Sequence, residues 1–106
     1  MKEKKMYRQG DVLFVERACA PAGVRRVRKN GEILEGEATG HVHRVASECL
    51  AAAEVFEVEN GLFMTVSEDG VSIVHEDHKP ILLPAGNYEV IRQREYSPEK
   101  IRNVID

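Results

Sequence analysis

The chain has 106 residues, 42% of them hydrophobic and 31% charged, with 15 Lys and Arg against 18 Asp and Glu for a formal net charge of −3. A single domain of this length, residues 1–106, can bury roughly 60–70% of the surface its unfolded form exposes, enough for one core without disulfides or a structural metal. Eight Gly and four Pro exclude collagen-like and low-complexity chains, and the mild acidity gives no general field for nucleic acid, so only a local patch would serve such a role.

Residues 1–10 are charged and lead into no apolar stretch long enough for a signal peptide or membrane span, so a cytoplasmic protein is expected. Cys19 and Cys49 match no C-x-x-C spacing. In a reducing compartment both stay free, and both are expected as small buried apolar residues.

Short runs rich in Val, Ile, Phe and Tyr recur between Gly, Asn, Asp and Pro, the pattern of an all-β sandwich or barrel. The first predicted strand covers residues 11–17 and the second residues 24–29. Asn30-Gly31 follows, a strong hairpin signal because type I′ turns need positive φ at both central positions, and the strands on either side are expected to pair across it. Residues 33–35 and 41–46 are the next strands. Residues 46–53 hold good helix formers, with Ser47 placed to cap a single turn. Residues 54–59 and 62–67 flank Asn60-Gly61, and Asp69-Gly70 turns into residues 71–76, so three successive hairpins are expected to build a meander. Pro80 and Pro84 bracket residues 81–83, an arrangement suited to an edge strand. Residues 87–95 form the last long strand, and Ser97-Pro98-Glu99 reads as a helix start running to Val104. The expected fold is mainly β, a small barrel or jelly-roll-like sandwich of about seven to nine short antiparallel strands with a short C-terminal helix.

The only histidines, His41, His43, His75 and His78, fall as H-x-H and H-x-x-H. In a strand, residues i and i+2 share a face, so His41 and His43 are expected side by side. Residues i and i+3 do not, so His78 is expected to reach back from a turn at Glu76-Asp77 after the strand carrying His75. Alternation puts His75 on the side of Val71 and Ile73, and Val45 on the face of His41 and His43, with Arg44 opposite. The imidazoles are thereby expected to converge inside or at the mouth of the fold, with His78 closing the site. Neutral imidazole is the commonest protein ligand of transition metals. His41, His43, His75 and His78 are therefore read as ligands of a divalent Zn, Fe, Mn or Ni ion, where three would leave the open position catalysis needs and four would close the site. The competing readings are a metal-free catalytic site and an ordinary hydrogen-bonded polar cluster.

An H-x-H strand after a glycine-rich turn, with an acid shortly after, runs from Gly36 through Gly40, His41 and His43 to Glu48. It resembles the first metal motif of the cupins, and Pro84-Ala85-Gly86 resembles part of the second. Gly36 lies one residue closer to the H-x-H than in the family, Val55 stands where the family has the glycine that follows, Glu89 stands where it has its final histidine, and His78 replaces a glycine ahead of Pro84. The resemblance implies a small jelly-roll-like barrel with His41, His43 and Glu48 as ligands of an interior metal. It covers about half the chain and names no substrate.

Arg8-Gln9-Gly10-Asp11 and Arg92-Gln93-Arg94-Glu95-Tyr96 are polar where strands emerge. Along the last strand Tyr88, Val90, Arg92, Arg94 and Tyr96 share a face, which could grip an anion through arginine but is expected to be a solvated outer face. The run Arg25-Arg26-Val27-Arg28-Lys29 is expected to be a charged edge that discourages strand pairing. If the protein is a metal-dependent enzyme, Glu48 or Glu89 would handle protons on a small polar or anionic substrate. The alternative is a metal-independent phosphodiesterase or ribonuclease, with two imidazoles as acid and base and Arg44 or Arg94 stabilising developing charge. A noncatalytic ligand-binding or regulatory module is the third class. No membrane partner is expected, nucleic acid is disfavoured, and exposed strand edges allow a homodimer.

Overall fold

In the strand Gly61–Val66, Leu62, Met64 and Val66 are buried while Phe63 and Thr65 are half-buried. This period of two marks a sheet with one face on a core. The computed structural model describes residues 5–35 and 41–92, so the helix expected from Ser97, Arg94, Tyr96 and the Gly36–Gly40 turn lie outside the described residues. The described residues form β1 (Met6–Gln9), β2 (Val12–Arg17), β3 (Arg26–Val27), β4 (Glu32–Glu35), β5 (Val42–Val45), β6 (Ala53–Val58), β7 (Gly61–Val66), β8 (Val71–Val74), β9 (Ile81–Leu83) and β10 (Gly86–Arg92). These ten strands exceed the seven to nine expected because β1, with only Met6 and Tyr7 apolar, gave too little pattern to read.

The strands make two antiparallel sheets, ordered β1-β2-β10-β7-β6-β3 and β4-β5-β8-β9. Of the two expected architectures the fold is the sandwich, with no closed barrel among the described residues. Val12, Phe14, Met64 and Tyr88 of the larger sheet meet Ile33, Val45, Ile73 and Leu83 of the smaller in one core cluster. A bulge between Glu32 and Leu34 interrupts the β4–β5 register, and Ile33 is fully buried.

Turn chemistry predicted local geometry better than strand partners. Asn30 and Gly31 both adopt positive φ, 60° and 68°, yet β3 pairs with β6 and β4 with β5. The expected hairpin there is absent, and the turn carries the chain between sheets. Asp69-Gly70 does the same, since β7 belongs to the larger sheet and β8 to the smaller. Asn60-Gly61 does close a hairpin, with Val58 opposite Gly61. The meander is therefore replaced by crossovers, because an Asn-Gly or Asp-Gly pair reverses the backbone but burial decides which sheet accepts the next apolar face. A hairpin not expected from sequence joins β1 to β2 through Gly10-Asp11, with Gln9 opposite Val12.

β9 lies at a sheet edge, as the prolines indicated. β10 instead lies between β2 and β7, and Tyr88 and Val90 are 1% and 6% exposed. The face expected to be solvated is thus core, since a central strand of a sandwich must bury one side. The Tyr88 hydroxyl donates to Pro84 O at 2.7 Å, and burial, with Tyr7 alongside, pushes its pKa up to about 12. Residues Ser47–Ala52 form a short 3₁₀ helix capped by no side chain, with Ala46 at the cap position expected for Ser47. Cys49 packs partly buried against the core, but Cys19 is exposed, against expectation.

Candidate functional site

β5 and β8 run antiparallel with Arg44 opposite Val74 and Val45 opposite Ile73. That register places the residues entering β5 and those leaving β8 at one end of the smaller sheet. The four imidazoles gather there. Ring centroids lie 4.2 Å apart for His43–His75, 4.7 Å for His75–His78, and 5.9 Å for both His41–His75 and His43–His78. His43 is 1% exposed, while His41 and His75 are half-buried and His78 is exposed. His78 is admitted by Gly10, whose φ is +61° and where a Cβ would collide with the His78 ring.

His41, His43 and His75 sit in distinct electrostatic settings. The Gln9 side chain, 2% exposed, donates to Ile73 O at 3.0 Å and Lys79 O at 2.9 Å, so its Oε1 faces His43 Nδ1 at 2.9 Å and accepts the ring proton. Burial, reinforced by the neighbouring His75, lowers the His43 pKa to about 4. Burial and the neighbouring His78 also lower that of His75. His75 Nδ1 accepts the Asp77 backbone N–H at 3.0 Å, so its neutral ring carries the proton on Nε2. His41 differs, because Nδ1 lies 2.7 Å from Asp77 Oδ2 and this hydrogen bond raises its pKa. The same bond lowers that of Asp77.

The larger sheet supplies the other wall. Asp11, in the β1–β2 turn, places Oδ1 3.5 Å from His43 Nε2 and Oδ2 3.5 Å from Arg92 Nε. Arg92 ends the inward face of β10, and its Nε and Nη2 are buried without a hydrogen-bond partner among the described residues. As the side chains stand, no three His, Cys, Asp or Glu groups among the described residues close around a point fit for a metal ion.

The residues expected to do proton chemistry lie elsewhere. Glu48 is exposed in the 3₁₀ helix beyond the opposite end of β5. Glu89 pairs with Arg17 through Nε and Nη2, on the face of β10 opposite Tyr88. Arg44 alternates with the inward His43 and Val45 and so lies on the other face of β5. Conversely, Gln9, Asp11, Asp77 and Arg92 join the cluster although none was singled out as a site residue. The polar stretches Arg8-Gln9-Gly10-Asp11 and Arg92-Gln93-Arg94 carried the signal for three of them. The β2–β10 register, with Arg92 opposite Val12, brings both to one place.

Over residues 8–93 the chain matches the family described as Domain of unknown function (DUF8820). It belongs to that family. The match spans all the residues that form the cluster in this DUF8820 domain, from Gln9 to Arg92. Comparisons with curated proteins and with solved structures give no match. No helix among the described residues of the DUF8820 domain is long and apolar enough to cross a membrane.

Proposed function

We propose that this DUF8820 domain binds a divalent transition metal ion (Zn, Fe, Mn or Ni) through His41, His43, His75 and His78, and acts there on a small polar or anionic ligand. The observation that carries the reading is the gathering of all four imidazoles of the chain at one end of one sheet, with centroids 4.2–5.9 Å apart for His41–His75, His43–His75, His43–His78 and His75–His78. Four rings bound to a tetrahedral ion at metal–nitrogen distances of about 2.0–2.1 Å have centroids about 5 Å apart. A metal needs neutral imidazoles, each oriented by an acceptor on the other ring nitrogen. His43 meets both, kept neutral by burial and His75 and oriented by Gln9, and Asp77 supplies the acceptor for His41. His75 would have to release the Asp77 amide to ligate through Nε2, so ion binding carries a local rearrangement with it. The buried Nε and Nη2 of Arg92, without a hydrogen-bond partner among the described residues, favour an anionic ligand. Two free thiols, Cys19 and Cys49, are consistent with residence in a reducing cytosol.

One contrast favours a second reading. His41 is shifted toward its charged form and His75 toward its neutral form, and such divergence assigns an acid and a base. With Arg92 nearby, that pair suits metal-free cleavage of a phosphodiester. Elemental analysis of untagged protein separates the two. Near-stoichiometric metal in the wild type, abolished in the His41→Ala/His43→Ala double variant with the fold kept, supports the metal reading. Unchanged metal content in the double variant removes it, and phosphodiesterase activity that survives exhaustive chelation establishes the second.

A further inference from the structure

The Gln9 carboxamide spends both N–H groups on Ile73 O and Lys79 O, so the atom it turns toward His43 Nδ1 is a carbonyl oxygen, which only accepts. The ring proton of His43 is thereby fixed on Nδ1, and the Nε2 of the neutral ring presents a lone pair. What Nε2 faces, 3.5 Å away, is Asp11 Oδ1, another lone-pair atom. Two acceptors facing each other beside a ring that is 1% exposed repel unless a proton or a metal ion lies between them, and burial disfavours the charged ring that a proton would make. The 3.5 Å separation is long for a hydrogen bond. It matches two donor atoms each about 2.0–2.1 Å from one tetrahedral ion, which stand about 3.4 Å apart. The second carboxylate oxygen, Oδ2, is turned to Arg92 Nε, so each oxygen of Asp11 has its own neighbour.

We infer that Asp11 is a direct ligand of the ion through Oδ1, with Arg92 positioning the carboxylate through Oδ2. The inference rests on the histidine reading above and, for a tetrahedral ion, places Asp11 from the opposite sheet beside three of the four imidazoles. A carboxylate among imidazoles makes the donor set harder and moves its preference toward Fe(II), Mn(II) and Zn(II) and away from Cu(I).

Titration of metal-free protein with cobalt(II), followed through its visible d–d bands, tests this. The wild type is expected to give a saturable band. Asp11→Asn is expected to bind at least about 100-fold more weakly with a displaced band, whereas Arg92→Lys falls within the 10–100-fold loss typical of residues that orient a ligand. Equal affinity and an identical band in Asp11→Asn overturn the inference and leave the histidine site standing; a wild type that takes up no cobalt overturns both. If Asp11→Asn fails to fold, a structure of cobalt-loaded wild-type protein decides. Asp11 Oδ1 at about 2.0–2.2 Å from the ion supports the assignment, and an oxygen beyond bonding distance rejects it.

Discussion

His43 is an imidazole held neutral in a place that water does not reach. Its pKa is lowered from an ordinary 6.5 to about 4 by burial and by His75. Between those two values the unfolded chain binds more protons at this position than the folded one, so stability rises with pH across the window and is lost as pH falls from about 6.5 to about 4. The full difference is on the order of 3 kcal/mol. Urea midpoints of metal-free protein should therefore fall steeply between pH 6.5 and pH 4.5, and the slope should flatten in His43→Gln. An unchanged slope in that variant would mean that the acid sensitivity arises elsewhere. Strand alternation made this residue's inward orientation legible, because H-V-H-R-V places His43 on the face of Val45. Gln9 was not legible as its partner, because the contact spans 34 residues of sequence and no local pattern encodes it.

At the level of elements, the β1–β2 turn is the piece that sequence patterns missed and the site depends on. Gly10 combines φ of +61° with contact against His78, and Asp11 beside it reaches His43 and Arg92. Gly10→Ala would force a side chain into a left-handed conformation, a penalty of about 1–2 kcal/mol. The added carbon would also push the exposed His78 ring out of the cluster. Lower metal affinity together with a lower melting temperature is the expected outcome; undiminished affinity would strike His78 from the ligand set. Asn30-Gly31 and Asp69-Gly70 do reverse the chain but close no hairpin, because strand pairing is settled by which sheet can bury the next apolar face. In β10 the polar residues that follow Tyr88 and Val90 mask a core face, because a central strand buries one side whatever its end carries.

For the molecule as a whole, the site is a seam. Its histidines belong to the four-stranded sheet and its Asp11 and Arg92 to the six-stranded one, so an ion bound there would tie the layers together. Ligand linkage then predicts that metal at 100 times its dissociation constant adds about 2.7 kcal/mol of stability, a rise of about 10 °C or more in melting temperature for a domain of this size. Differential scanning calorimetry should show that rise in the wild type, its reversal by chelator, and its absence in the His41→Ala/His43→Ala variant. The topology also orders events in time. Gln9 and Asp11 leave the ribosome early, yet β2, which follows them, sits against β10, and residues 86–92 are synthesised some eighty positions later. A nascent chain can display its imidazoles, but it cannot enclose them until that late strand has slotted into the middle of the sheet. Metallation in the mature geometry would thus wait for residues 86–92, and a chain cut short before residue 86 would bind metal only as a loose, unselective chelate.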